Sequence, residues 1–324
     1  MSKPYLSLSL DMDNQWSYMK IHGEEGWESY PSYLDIFVPH VLKILDELEL
    51  KITFFIVGQD AAFEHNHKYL KAIADAGHDI GNHSFKHETW LHLYTKEEMK
   101  NEIDTAHDVI AEVTGKAPNG FRGPGFSWSS TLLEVLSEKG YAYDASTLPT
   151  VIGPLARLYY FSTSNLSKEE KEDRKEIFGK FSDGFRKLKP YYWKLKKEKK
   201  LLELPVTTMP VFRIPFHLSY LLYLSNISIH LAMLYLNIAI FLCKITRTEP
   251  SFLLHPLDII GGDQIKSLAF FPGMNISSDR KVFIFKKVMK KLGKHYNLVD
   301  MKTHVDAIAT QKNLKTVPMP EIAS

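Results

Sequence analysis

An α/β fold, built as a parallel β/α sheet or barrel, is the class this sequence predicts, and three observations point to it. Strand-length apolar runs alternate with helical stretches of ten to twenty residues over the first 150 positions. The acidic, imidazole and guanidinium groups cluster just after those runs, where α/β folds place their chemistry. The chain, at 324 residues and 44% hydrophobic, is long enough to bury one large core.

The elements follow in order. "YLSLSLDMD" alternates and ends in acids, which reads as a strand running into a loop. "DIFVPHVLKILDELEL" has helical apolar spacing, and "KITFFIVG" is a buried-strand run. "HKYLKAIADAG" is a helix closed by Gly77, and "HDIGNHS" a short strand and loop. "TKEEMKNEIDTAHDVIAEVTG" is a long amphipathic helix capped by Thr95, with Glu98 three residues on and Gly115 at its end. "NGFRGPGFSWS" is strand plus loop, "SSTLLEVLSEKG" a helix and "YAYDAS" another strand and loop. The alternation breaks near residue 150, where a charged helix-like stretch begins. It resumes with "LLELPVTTMP" and "PSFLLHPLDII" as strands, "SSDRKVFIFKKVMKKLG" as a helix, and "HYNLVDMKTHVDAIA" as a closing strand and helix. No internal repeat interrupts this order, so residues 1–324 are expected to form a single domain with an insertion at about 151–248.

Forty basic and 38 acidic side chains leave a net charge of +2, which gives no electrostatic case for nucleic acid. One cysteine, Cys243, excludes an intrachain disulfide framework. The N-terminus has a short apolar run, no small-residue cleavage site and early charge at Asp11, which predicts a cytoplasmic location.

The polar residues then sort by position. Asp11 and Asp13 follow the first strand, His83 and His87 the third, Arg122 the fourth, Asp144 the fifth and His255 a late one. In a β/α barrel all of these converge on one rim. The spacing of His83 and His87 is weak on its own. Two imidazoles and a carboxylate, however, make a three-ligand metal site with open positions, and a metal there lowers the pKa of bound water from about 15.7 to about 7. A second carboxylate can accept the water's proton, and a histidine opposite can protonate a leaving nitrogen.

In order and spacing the chain resembles the polysaccharide deacetylase family, the NodB-homology or carbohydrate esterase 4 group. "SLDMD", "HSFKH", "FRGPGF", "YDAS" and "LLHP" resemble its five motif regions, closely over residues 5–150 and more loosely over 200–310. The resemblance implies a distorted (β/α)7-type barrel with the helical, apolar segment as an insertion. It implies Asp11 as general base, Asp13, His83 and His87 as metal ligands, and Arg122 as the residue holding the base. His255 would be the general acid, with Asp144 orienting it. Gly125 would supply a backbone N–H to the oxyanion, and Zn2+, or Co2+, Ni2+ or Mn2+, would be the metal. The first motif reads Asp-Met-Asp where adjacent aspartates are commonest, and the third reads Gly125-Phe126 where Tyr-Gly is usual. Phe126, Trp16 and Trp128 are candidates to line the substrate groove, with ordinary packing as the alternative for the tryptophans. Asn14, Gln15 and Ser84 are candidate supports. His65, His67, His92 and His107 fit the surface, His78 and Glu203 structural roles, and Asp79 a turn.

The insertion adds a second theme. "FRKLKPYYWKLKKEKK" (185–200) holds eight Lys or Arg around Tyr191, Tyr192 and Trp193, and residues 214–243 contain no Asp, Glu, Lys or Arg. A solvated basic helix and a buried helix pair, broken near a cap at Ser225 or Asn226, are one reading. A transmembrane span would separate "LELPVTT" from "LLHP", both needed in one barrel, so an interfacial patch on anionic lipid is the better membrane reading. The expected activity is therefore metal-dependent removal of an acetyl or formyl group from an amino sugar. The polyprenyl-phosphate-linked sugar of a cell-envelope precursor, met at the cytoplasmic face of the inner membrane, is one form of it. The alternatives are hydrolysis of a small amide or cyclic ureide, and a non-catalytic glycan- or lipid-binding module.

Overall fold

The computed structural model describes residues 3–164, 166–173, 181–311 and 313–319. Ten strands among them form one sheet: β1 (Tyr5–Asp11), β2 (Thr53–Ile56), β3 (Asp79–Asn82), β4 (Gly120–Phe121), β5 (Tyr143–Asp144), β6 (Tyr191–Lys194), β7 (Lys200–Glu203), β8 (Ser251–Leu254), β9 (Asn297–Val299) and β10 (Thr316–Pro318). Their order is β10-β6-β7-β5-β4-β3-β2-β1-β8, with β9 pairing the start of β1. Every pairing is parallel except β6 with β7. The sheet curls, and its two sides meet beyond the end of β7. There the Thr207 N–H donates to the Ser251 carbonyl at 3.0 Å, and the Ser251 N–H returns to Thr207 Oγ1 at 2.8 Å. Strands β1, β2, β3, β4, β5, β7 and β8 thus make a seven-stranded ring closed by a pair of bonds in place of a full ladder.

Twelve α-helices accompany the strands: α1 (Gln15–His22), α2 (Leu34–Glu47), α3 (Gly58–Ala61), α4 (Glu64–Asp75), α5 (Lys96–Thr114), α6 (Ser130–Lys139), α7 (Gly153–Thr163), α8 (Lys168–Asp173), α9 (Leu218–Ile227), α10 (Ile229–Ile245), α11 (Ser278–Gly293) and α12 (Met301–Ala309). The start and stop signals work as the physics requires. Thr95 and Glu98 form a reciprocal capping box on α5, and Gly115 closes it in the left-handed region at φ 69°. Ser129, whose side chain accepts the Leu132 N–H, and Gly140, in the left-handed region at φ 92°, bracket α6. The main core lies between β1, β2 and β8 and the helices outside them, with Leu8, Leu10, Phe54, Phe37, Val41, Ile284 and Phe285 buried together.

The insertion differs from expectation at two points. Residues 185–200 are not a basic helix. Tyr191 and Trp193 are buried on alternate positions of β6 while Lys194 is exposed, and this period of two pairs the segment antiparallel with β7. Aromatic side chains favour that pleated surface over a helix. The break in the apolar stretch falls at Ser228, whose side chain accepts the His230 N–H as the cap of α10; Ser225 is buried inside α9 and bonds the Leu222 carbonyl. Part of the charged stretch, residues 165 and 174–180, lies outside the described residues.

Candidate active site

The first motif leaves β1 at its C-terminal end. Asp11 is buried there, and Arg122, fully buried just after β4, donates from Nη1 to Asp11 Oδ1 at 2.6 Å and to Ser9 Oγ at 2.9 Å. The guanidinium also donates from Nε to the Ala145 carbonyl at 3.1 Å and lies over the Phe55 ring, 4.4 Å from its centroid. Strands β1, β4, the β5 end and β2 thereby fix one carboxylate through one charged group, and the pairing is charge-assisted in a dry site.

Asp13 Oδ1 lies 2.9 Å from His87 Nε2 and 3.3 Å from His83 Nε2, and the three ligating atoms are within 4.8 Å of one another. His83 Nδ1 is 2.6 Å from the Arg122 carbonyl, which can only accept, so Nδ1 carries the proton and Nε2 presents its lone pair to Asp13. Two lone-pair donors converging on a carboxylate repel unless a proton or a cation sits between them. Burial pushes the Asp13 carboxyl up, but His87 and His83 outweigh it and pull it well below the usual carboxylate range. The donor set therefore fits a divalent transition metal.

The loop bearing these histidines is strained and tightly held. Ser84 and His87 occupy the left-handed region at φ 64° and 55°, where few non-glycine residues sit. Asn82 Oδ1 accepts the Ser84 N–H, Ser84 Oγ accepts the His87 N–H, and Glu102 Oε1 from α5 accepts the N–H groups of Phe85 and Lys86 at 2.9 and 2.6 Å. Gly58, at the end of β2, lets the loop come close: a Cβ there would stand 2.7 Å from the Phe85 ring and 2.8 Å from the Ala106 backbone. Neither Glu102 nor Asn82 stands out in the sequence; Glu102 reads as one more charge on an amphipathic helix.

A second support lies behind Asp13. Tyr33 donates its hydroxyl to the Asp13 carbonyl. Asp60 Oδ1 accepts from Asn14 Nδ2 at 2.7 Å and Trp16 Nε1 at 2.9 Å, and Asn14 caps α1. Burial raises Asp60 to about 7 against these two bonds, with Asp13 adding repulsion. Its signal was its place, four residues past β2 on the rim side.

Of the candidates for the groove, Trp16 is buried with its ring edge-on to His87 at 6.3 Å, so it packs behind the triad and does not line an open groove. Trp128 is sandwiched between Trp193, at 5.2 Å, and the Arg186 guanidinium, at 4.2 Å. Gly125 and Phe126 form a tight turn with φ 59° and 61°, and both are partly exposed. Gln15 is partly buried, its side chain directed to Met19.

His255 follows β8, but the carboxylate beside it is Asp258 rather than Asp144. Asp258 Oδ2 accepts the His255 N–H at 2.9 Å and lies 3.8 Å from His255 Nδ1, while Ser219 of α9 also bonds that carboxylate. Desolvation lowers His255, but Asp258 and, behind it, Asp11 and Asp13 outweigh this and raise it to about 9. His217, the N-cap of α9, lies with its ring 6.2 Å from His255, and burial followed by His255 lowers it to about 3. Asp144 turns elsewhere. Its Oδ1 accepts from Ser146 Oγ, and it faces Glu203 across the β5–β7 pair. Glu203 accepts from Thr147 at Oε1 and Trp193 at Oε2. Burial raises both carboxyls, so a proton is retained between them.

Residues 27–143 match the family model described as polysaccharide deacetylase. That span contains His83, His87, Arg122 and Gly125, while Asp11, Asp13 and His255 lie outside it. A peptidoglycan deacetylase of Helicobacter pylori is 31% identical over 114 residues, 35% of this chain and 38% of that protein. The peptidoglycan-N-acetylmuramic acid deacetylase PdaA of Bacillus subtilis is 31% identical over 110 residues, 34% of this chain and 41% of its own length. The chain thus spans about two fifths of these curated relatives. Among solved structures, a polysaccharide deacetylase candidate from Mycobacterium smegmatis superposes with a TM-score of 0.59 over 99% of this chain and 96% of that one, at 18% identity, a likeness of fold.

Proposed function

We propose that this chain, whose residues 27–143 match the polysaccharide deacetylase model and resemble curated peptidoglycan deacetylases, hydrolyses the N-acyl group, acetyl or formyl, of an amino sugar. The observation that carries this reading is the convergence of Asp13, His83 and His87 beside the Arg122–Asp11 pair, with His255 following the neighbouring strand. Asp13, His83 and His87 would hold a divalent metal, zinc being the first candidate, which when bound supplies Lewis acidity to the acyl oxygen and to water.

The remaining chemistry belongs to the chain's own residues. Asp11, oriented by Arg122, accepts a proton from the attacking water as the new C–O bond forms. The N–H of Gly125 faces the developing oxyanion. His255, held protonated by Asp258, donates its proton to the sugar nitrogen as the C–N bond breaks. The products are a free amine and a carboxylate. His217, kept neutral, adds no competing positive charge beside His255.

The exposed apolar face of α10 favours a lipid-linked form of the substrate, with the sugar presented at a membrane; this is the finer reading. The test is metal content by mass spectrometry on the wild type and His87→Ala, with amine release measured on a panel of N-acetyl and N-formyl amino sugars. One metal per chain and amine release, both lost in the variant, is the expected result. A folded wild type that takes up no zinc defeats the reading and leaves a binding module. Metal uptake with release only from small amides or ureides points to the other hydrolase class.

A further inference from the structure

α10 is apolar on both sides, which a helix at the surface of a soluble domain ordinarily is not. Its inner side, with Ala232, Leu236, Ala239 and Ile240, is buried in the core. Its outer side carries Ile227 (the last residue of α9), Leu231, Leu234, Ile238, Phe241 and Ile245, spaced four, three, four, three and four residues apart and all exposed, from 39% at Leu231 to 79% at Ile227. From Leu231 to Ile245 this stripe runs about 21 Å at 1.5 Å per residue. His230 and Asn237 are exposed polar side chains along it, and an apolar strip of that length marks a surface that meets something. Among the described residues no helix is long and apolar enough to cross a membrane, so the strip can lie on a bilayer but not span it.

What it meets is indicated by the charge at its end. Directly after Ile245, the chain enters a cleft of about 720 Å³ whose lining includes Lys187, Lys189, Arg213, Arg247 and Lys315. Glu249 is the one carboxylate in that lining. It is already engaged, accepting the Tyr5 N–H at 3.1 Å with His304 Nε2 at 3.6 Å. Three lining or adjoining cation-bearing and apolar positions, Val211, Arg213 and Arg247, hold left-handed backbone at φ 74°, 58° and 52°. Val211 and its neighbour Phe212 are exposed at 69% and 56%, so the lip of the cleft is apolar while its wall is basic. Next to Ile245, Lys244 meets His295 at 2.9 Å, and Lys3, Lys291 and Lys294 act on the same imidazole, so a second group of cations borders that end of the stripe.

We propose that this face docks on an anionic phospholipid bilayer, the α10 stripe lying in the interface and the basic cleft seating a phosphate headgroup. An apolar strip bordered by cations matches the interfacial layer, where apolar tails sit below anionic phosphates. A second copy of the chain matches less well. A twofold pairing of the stripe would bring the basic end against residues near Asn226 and His230, and residues 214–243 contain no carboxylate to meet it. The face is separate from the catalytic groups: the cleft reaches the first residue of β1 through Glu249, whereas Asp11 ends that strand, about 20 Å further along. The inference therefore does not depend on the deacylase reading, and vesicle binding can be measured with no substrate present.

The experiment is flotation of the full chain with vesicles of phosphatidylcholine alone and with about a third phosphatidylglycerol, near 0.15 M salt. Three proteins are compared: wild type, the cleft variant Lys189→Glu with Arg247→Glu, and the stripe variant Leu234→Ser with Phe241→Ser. Circular dichroism checks that each is folded, and light scattering gives its mass. The wild type is expected to float with anionic vesicles and not with neutral ones. Each basic residue near an anionic surface is worth about fivefold, so the cleft variant should lose at least about tenfold in binding. The stripe variant should lose a comparable amount. Amine release from a soluble N-acyl sugar should be unchanged in both. A wild type that stays with the soluble fraction in both vesicle sets overturns the proposal, as does binding that both variants retain. Binding of inorganic phosphate that the cleft variant loses, without flotation of the wild type, would make the cleft a site for soluble phosphate. A dimer dispersed by the stripe variant with vesicle binding intact would make the stripe a subunit interface.

Discussion

His255 and His217 sit with their rings 6.2 Å apart and are driven in opposite directions, one to about 9 and one to about 3. The difference comes from one carboxylate. Asp258 is the largest influence raising His255, through a hydrogen bond as well as its charge, while at His217 burial dominates, His255 adds to it and Asp258 opposes it only from a distance. A general acid must be protonated when the leaving nitrogen needs it, so this separation assigns the role to His255. A cation at the triad would offset Asp13 and bring His255 down from 9, toward the pH where a general acid works best. Asp258→Asn removes the main raising influence, so the protonated fraction of His255 falls at a lower pH. The basic limb of kcat/KM is expected to move down by one unit or more with KM little changed, read from a pH profile on a soluble substrate. A uniform loss at every pH with an unmoved limb would make Asp258 structural only. His255→Ala should cost about 10² to 10⁴ in kcat, the usual worth of general acid catalysis.

At the scale of the element, the strained loop from His83 to His87 is where sequence and structure part most instructively. Its histidines are legible because the motif is dense and follows a strand. Its supports are not, because Glu102 and Asn82 act through bonds that form only when α5 and β3 are packed together. Glu102→Ala would leave the part-buried Phe85 and Lys86 N–H groups without their protein acceptor, at no more than about 1–3 kcal/mol each because water can reach them. The loop should relax, and zinc affinity should fall by about 10- to 100-fold, as for other outer supports of a metal site. Zinc titration monitored by competition with a chromophoric chelator measures it, and an unchanged affinity would show that the loop is held by Asn82 and Ser84 alone. Helices with strong caps, α5 and α6, were legible to within a residue, since the cap chemistry is local. The β6–β7 hairpin was not. Eight cations in sixteen residues mask the alternation of Tyr191 and Trp193, and only pairing with β7 decides the period. β10, which extends the sheet beyond β6, carries almost no local signal: Thr316, Val317 and Pro318 become a strand by pairing. The pairing of His255 with Asp258 was equally hidden, because the motif order points to Asp144 and only the turn after β8 brings the nearer carboxylate round.

For the whole molecule, two reservoirs of unfavourable charge are built into one fold, and they respond to different handles. The first is the triad, relieved by a cation. Zinc that binds only the folded chain should raise Tm, by about 2.7 kcal/mol of stability at a hundredfold excess over Kd, and chelation should reverse it. His87→Ala should abolish the shift, and a Tm indifferent to zinc in the wild type would mean no resident metal. The second is the Asp144–Glu203 pair, relieved by a proton. Both carboxyls are raised by burial, so the folded chain keeps a proton that the unfolded chain gives up. Below the ordinary Glu value of about 4.3 both states are protonated and nothing is gained or lost. As pH rises above it, only the unfolded state releases the proton, and stability falls by about 1.4 kcal/mol per pH unit until the folded pair itself titrates. Glu203→Gln removes the titrating group. The amide can donate to Asp144 and accept from Thr147, but it leaves the Trp193 N–H, now 2.9 Å from Oε2, without an acceptor, at about 1 kcal/mol. The variant should therefore be less stable than the wild type near pH 4–5 and lose less as pH rises, so that the two Tm curves converge toward alkaline pH. Thermal unfolding at unit pH steps decides it. Parallel curves would mean that Asp144 and Glu203 titrate as they do in water and that the barrel carries no proton between β5 and β7.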